Sequence, residues 1–432
     1  MVRVSTDNKA DDFVLYGLDF LNNLFKNYKP LDFSVRFWEG TTWGLCQEKK
    51  PNFVLVIKHP GALRRMFLKG DQLSLGEAFI YDDFDVEGDI EASFRIAEHL
   101  ASKSLRMTER IRLGRQLLRF PIGGQLPMRE SAAHPRGRLH SQKRDAEAVT
   151  YHYNIPSKFF SLWLDREMSY SCGYFQSPKD SLDDAQAKKI DYVCRKLRLN
   201  AGELLLDIGC GWGTTILHAV KKFGVRALGI TLSAPQAEWA NERIREAGLE
   251  KLCRVEVADY RDMNDWGRFN KIVSIGMVEH VGLRKLTDYF RRAYALLQPQ
   301  GLFLNHGITQ KPGQNLLPGP SFIDHYVFPD GELLPISNTL RSAEKSGFEV
   351  WDVEALQQHY SLTLRHWLRR LEDAHSEALK LIDETTFRIW KLFMAGSAFQ
   401  FSKGFLNVHQ TLLAKTKQGE SGLPLTRADW YV

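Results

Sequence analysis

Apolar positions in residues 11–27, DDFVLYGLDFLNNLFKN, recur at helical spacing, with Asp11 or Asp12 placed to cap the first turn. Two strand-like runs follow, 31–38 and 53–57. HPGALRRMFL then reads as a turn into a short helix, and LGEAFIYDDFDVEGDIEASFRIAEHL as loop or strand followed by helix. This α+β pattern contains no phosphate loop and no clustered acid–base residues, so residues 1–120 are expected to form a smaller domain that binds or scaffolds. From 121 to 145 the chain is rich in Pro, Gly, Arg and His with little periodicity, which predicts a basic linker. The remainder, 146–432, opens with VTYHYNIPSKFFSLWLDREMSYSCGYF, whose aromatic density suggests helices covering a pocket. An amphipathic helix is predicted over 180–198. Strand patterns at 204–208, 226–230, 253–257, 271–275 and 302–306 then alternate with helical segments. That rhythm predicts a doubly wound α/β sheet, in which ligands sit at the carboxyl ends of the strands. After Pro312 the chain is loop-like and aromatic, and 361–417 reads as largely helical.

Composition changes this picture in three places. No uninterrupted apolar run approaches the roughly 18 residues of a membrane span, and the first residues, MVRVSTDNKADD, lack the apolar core of a secretory signal. The five cysteines (46, 172, 194, 210, 253) are scattered, which argues against a disulfide framework or a zinc site and suits a reducing cytosol. The net charge of +6 is modest, but eleven Lys or Arg face two acids, Glu109 and Glu130, between Lys103 and Arg144. Such a stretch suits anionic lipid head groups, or is simply a solvated helix and linker. No base-stacking motif accompanies it, so nucleic acid is not expected.

Each predicted strand end delivers usable chemistry. LLLDIGCGWGTT carries Asp207 and then Gly209, Gly211 and Gly213, a G-x-G-x-G turn from strand into helix. Such a turn lets a ligand approach backbone N–H groups at a helix N-terminus, although a purely structural turn has the same look. GITLSAPQ presents Thr231, Ser233 and Gln236, with a neutral Gln where an acid usually meets the ribose. ADYRDM presents Asp259 or Tyr260 for an adenine edge, SIGMVEHVG presents Glu279 and His280, and NHGI presents His306. One polar residue at a strand end is commonly a helix cap; five successive ends point to a nucleotide-like cofactor.

The glycine turn resembles motif I of the S-adenosylmethionine-dependent methyltransferases. YHYNIPSKFFSLWLD, YSCGYF, LLLDIGCGWG, GITLSAPQ, DYRD, SIGMVEHVG, HYVFPDG and HYSLTLRHW further resemble, in order, the cyclopropane-fatty-acyl-phospholipid synthases. The match is dense from about 150 to 415, looser over 1–120, and is similar to a full-length bacterial member with an N-terminal lipid-binding or dimerisation domain. The resemblance implies a class I methyltransferase (Rossmann-like) catalytic domain. It implies methylene transfer from S-adenosylmethionine to a cis double bond of a phospholipid acyl chain, through a carbocation deprotonated by bound bicarbonate and without a metal. Carried over residue by residue, the bicarbonate holders would be Cys172, Glu279, His306, the Ile308 backbone and Tyr360. Cofactor contacts would come from Tyr153, Ser171, Asp207, Gly209, Gly211, Gly213, Thr231, Gln236, Asp259 and Tyr260. Tyr170, Tyr174, Phe175, Tyr326 and Tyr360 could line a pocket whose aromatic faces shelter the cation. The implied setting is cytoplasmic, peripheral to the inner face of the membrane, with a possible homodimer. One departure stands out: Val278 occupies the position where many members carry phenylalanine. That leaves open a related fatty-acid methyltransferase giving methyl- or methylene-branched chains. A silent lipid-binding protein is the remaining alternative, and Cys172, Glu279 and His306 speak against it.

Overall fold

The computed structural model describes residues 11–29, 31–45, 50–102, 106–122, 137–153, 155–263, 267–313 and 321–431. The chain divides into two compact units. Unit 1 gathers Met1–Ala132 with Asn315–Val327 and Asp383–Phe399; unit 2 gathers Ala133–Gln314, Phe328–Ile382 and Gln400–Val432. Two segments from inside the range expected for the catalytic domain therefore cluster with the N-terminal residues. The basic linker falls mostly outside the described residues, and its last four residues, 142–145, open the helix Gln142–Tyr153.

Unit 1 is an α+β sandwich. Strands β1 (Phe33–Arg36), β2 (Thr42–Gly44), β3 (Phe53–Ile57) and β4 (Phe84–Gly88) form a sheet in the order β2-β1-β3-β4, parallel only between β1 and β3. Alternating residues of β3 are buried, as a half-covered strand requires. Phe33 and Phe53, paired across β1 and β3, stack with ring centroids 5.3 Å apart. Helix α1 (Asp12–Leu24) is capped by the Asp11 carboxylate, which accepts from the Phe13 N–H, and it packs on helix α2 (Met107–Leu117). The late segment is tied in by buried Arg388. Its guanidinium donates to the carbonyls of Phe79 and Phe84 at 2.7 and 2.9 Å and lies over the Phe79 ring.

Unit 2 holds a seven-stranded sheet, with strands β5 (Leu204–Ile208), β6 (Arg226–Thr231), β7 (Cys253–Val257), β8 (Phe269–Ile275), β9 (Leu297–Gln310), β10 (Glu349–Ala355) and β11 (Leu406–Ala414). Their order is β10-β11-β9-β8-β5-β6-β7. The run from β9 to β7 is parallel; β11 pairs antiparallel with both β9 and β10. The order in which strands are added reverses at β5, with β6 on one side and β8 on the other, which is the switch point where doubly wound sheets bind ligands. Helices α3 (Leu182–Lys196), α4 (Thr214–Phe223), α5 (Ala234–Glu246), α6 (Leu283–Leu296) and α7 (Gln357–Asp373) surround it. The central strand reads LLLDI without alternation because both of its faces are covered.

The helical expectation for 361–417 is corrected at its end. Leu406–Ala414 is a strand, and it sets Gln410 opposite His306 on β9. NVHQTLLA mixes four apolar with four polar residues, and over so short a stretch periodicity alone cannot separate a strand from a helix. The antiparallel pairing with β9 decides for the strand.

Candidate active site

The cavity of unit 2 opens where β5 breaks into α4, with ≈ 870 Å³ of empty space including its mouth. Gly209, Gly211 and Gly213 all have positive φ, at 82°, 53° and 78°, a region that L side chains enter only with strain. A Cβ on Gly211 would meet nothing within 4 Å, so the turn leaves an open cradle beside the N-terminal Thr214 and Thr215 of α4. Gly213 packs instead, since a Cβ there would come within 2.9 Å of the Ala240 Cβ on α5.

Asp207 closes β5 on the cavity wall. Burial drives its carboxyl up to about 7, and one oxygen has no hydrogen-bond partner. A buried carboxylate without a partner is costly unless a cation meets it. Lys189 on α3 eases that cost and lowers the Asp207 pKa, while its own ammonium donates to the Ser171 hydroxyl at 2.9 Å. Gln186, one turn earlier on the same buried helix face, holds the Ser171 carbonyl at 2.7 Å. On β6 the Thr231 hydroxyl donates to the Gln236 carboxamide oxygen at 2.9 Å, which fixes the amide against the cavity wall. Ser233 caps α5.

Ser171, Asp207, Gly209, Gly211, Thr231 and Gln236 thus come together on one cavity, as do Tyr170, Trp212, Met277 and His280. Asp259 and Tyr260 are not among its lining residues. Asp259 caps a short 3-10 turn and pairs with Arg261, and Tyr260 packs edge-on against Tyr289 in the core, its hydroxyl pushed up to about 12 by burial. The Tyr153 side chain lies outside the described residues.

The second cluster sits on the turn after β8 and on β9. The Ile308 N–H donates to the Glu279 Oε1 at 2.6 Å, leaving Oε2 buried without a partner. Burial raises the Glu279 carboxyl to about 7. His306 pairs through Nδ1 with the Gln410 amide at 3.3 Å, its Nε2 is buried and unpartnered, and burial holds it down to about 3, so the ring is neutral. Cys172 is fully enclosed, its thiol directed at the Gly173 and Leu356 carbonyls and driven upward by burial. Leu356 also accepts from the Tyr360 N–H, and the Tyr360 ring packs on Phe401 and Trp367. Lys189 acts electrostatically on Cys172, His306 and Asp207. Its isolated position on an amphipathic helix hid it; the one signal was that Gln186 and Lys189 share the apolar face.

Of the aromatic candidates, Tyr170 lines the cavity and packs against Trp163 and Trp367 at 5.5 and 5.3 Å. Tyr174 and Phe175 stack on His359 and His366. Tyr326 belongs to unit 1, where its hydroxyl donates to Glu77.

A parallel-dominated sheet with a glycine turn at its switch point and polar strand ends is the class I S-adenosylmethionine-dependent methyltransferase fold. This chain belongs to the mycolic acid cyclopropane synthetase family, whose model matches residues 140–411, and a domain of unknown function (DUF7884) matches 20–109. A Pseudomonas putida protein described as a probable fatty acid methyltransferase is 39% identical over 405 residues, 93% of this chain and 96% of its own length. Cyclopropane mycolic acid synthase MmaA2 of Mycobacterium tuberculosis is 34% identical over 62% of this chain and 97% of its own; its solved structure superposes with a TM-score of 0.59. The mycolic acid cyclopropane synthase CmaA1, solved with SAH and CTAB, is 33% identical with the same TM-score of 0.59 over 62% of this chain and 97% of that one. The activity is therefore S-adenosylmethionine-dependent lipid modification.

Proposed function

We propose that this chain is a cyclopropane-fatty-acyl-phospholipid synthase. The observation that carries the reading is the pair of buried, unpartnered polar atoms, Glu279 Oε2 and His306 Nε2, in the same unit as the cofactor cradle. S-adenosylmethionine supplies, when bound, an electrophilic methyl group. The π electrons of the acyl double bond form the new C–C bond as the S–C bond breaks, and the cation left on the chain closes the ring on losing a proton from the added methyl. Water would quench that cation, so the chain must exclude it and still offer a base. The aromatic layer of Phe160, Trp163, Tyr170 and Trp367 does the first.

For the second, the residues fit a small planar oxyanion acid such as bicarbonate. Glu279 and His306 would hold it with Cys172 and Tyr360, and it would supply the base. The Ile308 N–H is already given to Glu279, so it orients that carboxylate. Asp207 suits the cationic methionine end, and Gln236 the ribose, with its oxygen held by Thr231 and its N–H groups left to donate.

A second reading has one observation in its favour. Val278 lies so close to β9 that a Cβ on Gly307 would come within 2.2 Å of its Cγ1. Val278 packs there in the core beneath the strand, so no aromatic ring stands at this position to hold the cation, which favours one that migrates and leaves a methyl or methylene branch. Lipids from cells expressing the protein, with methyl-labelled S-adenosylmethionine, separate the two by mass spectrometry before and after mild hydrogenation. A labelled phospholipid chain that resists hydrogen supports the ring; one that takes up hydrogen, or that keeps all three methyl hydrogens, overturns it. Bicarbonate is tested separately, by depleting dissolved carbon dioxide: turnover should fall and recover on adding bicarbonate.

A further inference from the structure

Gln410 comes to the site on β11, the strand whose local pattern conceals it. The antiparallel pairing sets it opposite His306 on β9, and residues directly opposite on neighbouring strands present their side chains to the same face. Gln410 is completely enclosed, at 0% exposure. Burying a carboxamide is unfavourable unless its groups find partners. Among the described residues this one makes a single side-chain hydrogen bond, from Nε2 to the His306 Nδ1 at 3.3 Å, and its Oε1 is left without a partner. An apolar side chain would fill the same space and strand no oxygen. The contact with His306 is what the amide adds.

That contact has a chemical direction. An amide NH2 donates and offers no lone pair, so Nδ1 must be the acceptor. A neutral imidazole carries one proton, and with Nδ1 bare that proton sits on Nε2. The ring is neutral here: burial disfavours a second proton, and Lys189, Lys196 and His409 add their repulsion. Nε2 is the ring atom buried without a partner. Two residues further along β9, Ile308 spends its N–H on Glu279, whose ionised carboxylate only accepts. An oxyanion held beside Glu279 gains a donor from the His306 Nε2–H. The opposite tautomer would confront it with a lone pair.

We propose that Gln410 is a positioning residue, holding His306 in the Nε2–H tautomer so that the ring donates to the anion beside Glu279. In this role it acts through His306 and needs no contact with substrate or cofactor. The identity of the anion rests on the bicarbonate reading above; the tautomer does not.

The test is a long-range proton–nitrogen correlation spectrum of the ligand-free full chain carrying isotope-labelled histidine. His306 is identified among the 13 histidines by the signal lost in His306→Asn. Native His306 should show its proton on Nε2. Gln410→Leu, similar in size and without polar atoms, should release the ring into a mixture of both tautomers. In turnover, Gln410→Leu should raise the half-saturating bicarbonate concentration roughly tenfold, on the scale of one charge-assisted hydrogen bond. The Michaelis constant for S-adenosylmethionine should stay within about twofold. A native proton on Nδ1 overturns the proposal, and so does a Gln410→Leu spectrum in which His306 keeps its tautomer. Equal losses for bicarbonate and cofactor also overturn it, because Gln410 then only packs. Should Gln410→Leu fail to fold, Gln410→Met takes its place, and the native spectrum already separates the two tautomers. Native turnover that ignores bicarbonate overturns the bicarbonate reading, while the ligand-free spectra still decide for or against Gln410.

Discussion

The two polar clusters of unit 2 are built on opposite principles. Around the glycine turn the backbone makes the site: Gly209 and Gly211, both at positive φ, border a cleared space, and the side chains at its rim, Thr231 and Gln236, are already bonded to each other. Around Glu279 and His306 the side chains make the site, buried and each left with one unused polar atom. The first arrangement binds by shape and needs little from any one group. The second stores an unsatisfied demand that only a specific occupant relieves, so single substitutions there should be disproportionately felt.

The strongest way to break this contrast is Glu279→Ala. Lipid modification should drop at least a hundredfold, the scale on which proton-transfer groups act, while cofactor affinity measured by calorimetry stays within about twofold. An equal loss in both would merge the clusters into one site.

Next comes the demand itself. The Glu279 carboxyl titrates near 7 in the fold against 4.5 in the open chain. The stability this contributes is complete below pH 4.5 and is lost as the pH rises to 7, to a limit of about 3 kcal/mol at 1.36 kcal/mol per pH unit. Denaturant unfolding of the ligand-free protein should show that fall, and Glu279→Gln should flatten it. A slope that survives the substitution would assign it elsewhere, first to Asp207, which also rises to about 7.

Lys189 joins the clusters. Lys189→Met should weaken cofactor binding roughly tenfold by loosening Ser171 and leaving the Asp207 charge unopposed, on the scale of one charge-assisted hydrogen bond. Removing the ammonium also lifts the Asp207 pKa, so the pH profile of cofactor binding should move upward. A loss of affinity with an unmoved profile would reduce Lys189 to a packing role. The smallest effect belongs to Gln236→Ala, where a few-fold rise in the cofactor dissociation constant is expected with the chemical step nearly unchanged. A larger effect on turnover than on binding would show that the rim takes part in the chemistry.

Legibility in the sequence followed the same division. The strand run 204–208 was readable from its unbroken apolar stretch, 253–257 from its apolar–polar alternation and the helix near 182–196 from its periodicity, because all three are local signals. Asp207, Thr231 and Gln236 were readable because a strand end must deliver its next residue to the crevice. Asp259 and Tyr260 satisfied the same rule, yet the chain turns there into a 3-10 helix that gives one to Arg261 and the other to the core. Strand β11 was invisible for lack of any local preference; only its partner β9 makes it a strand.

By itself the sequence determined the glycine turn and where the parallel strands lie along the chain, since a glycine turn and an apolar run act within a few residues. It also carried, through its ordered motifs, the family. Tertiary structure alone decided which polar atoms would be left unpaired: the Ile308 amide reaches Glu279 across 29 positions and Gln410 reaches His306 across 104. It likewise set Lys189 between Ser171 and Asp207. Burial and desolvation are properties of the packed chain, and no stretch of residues holds them before it folds.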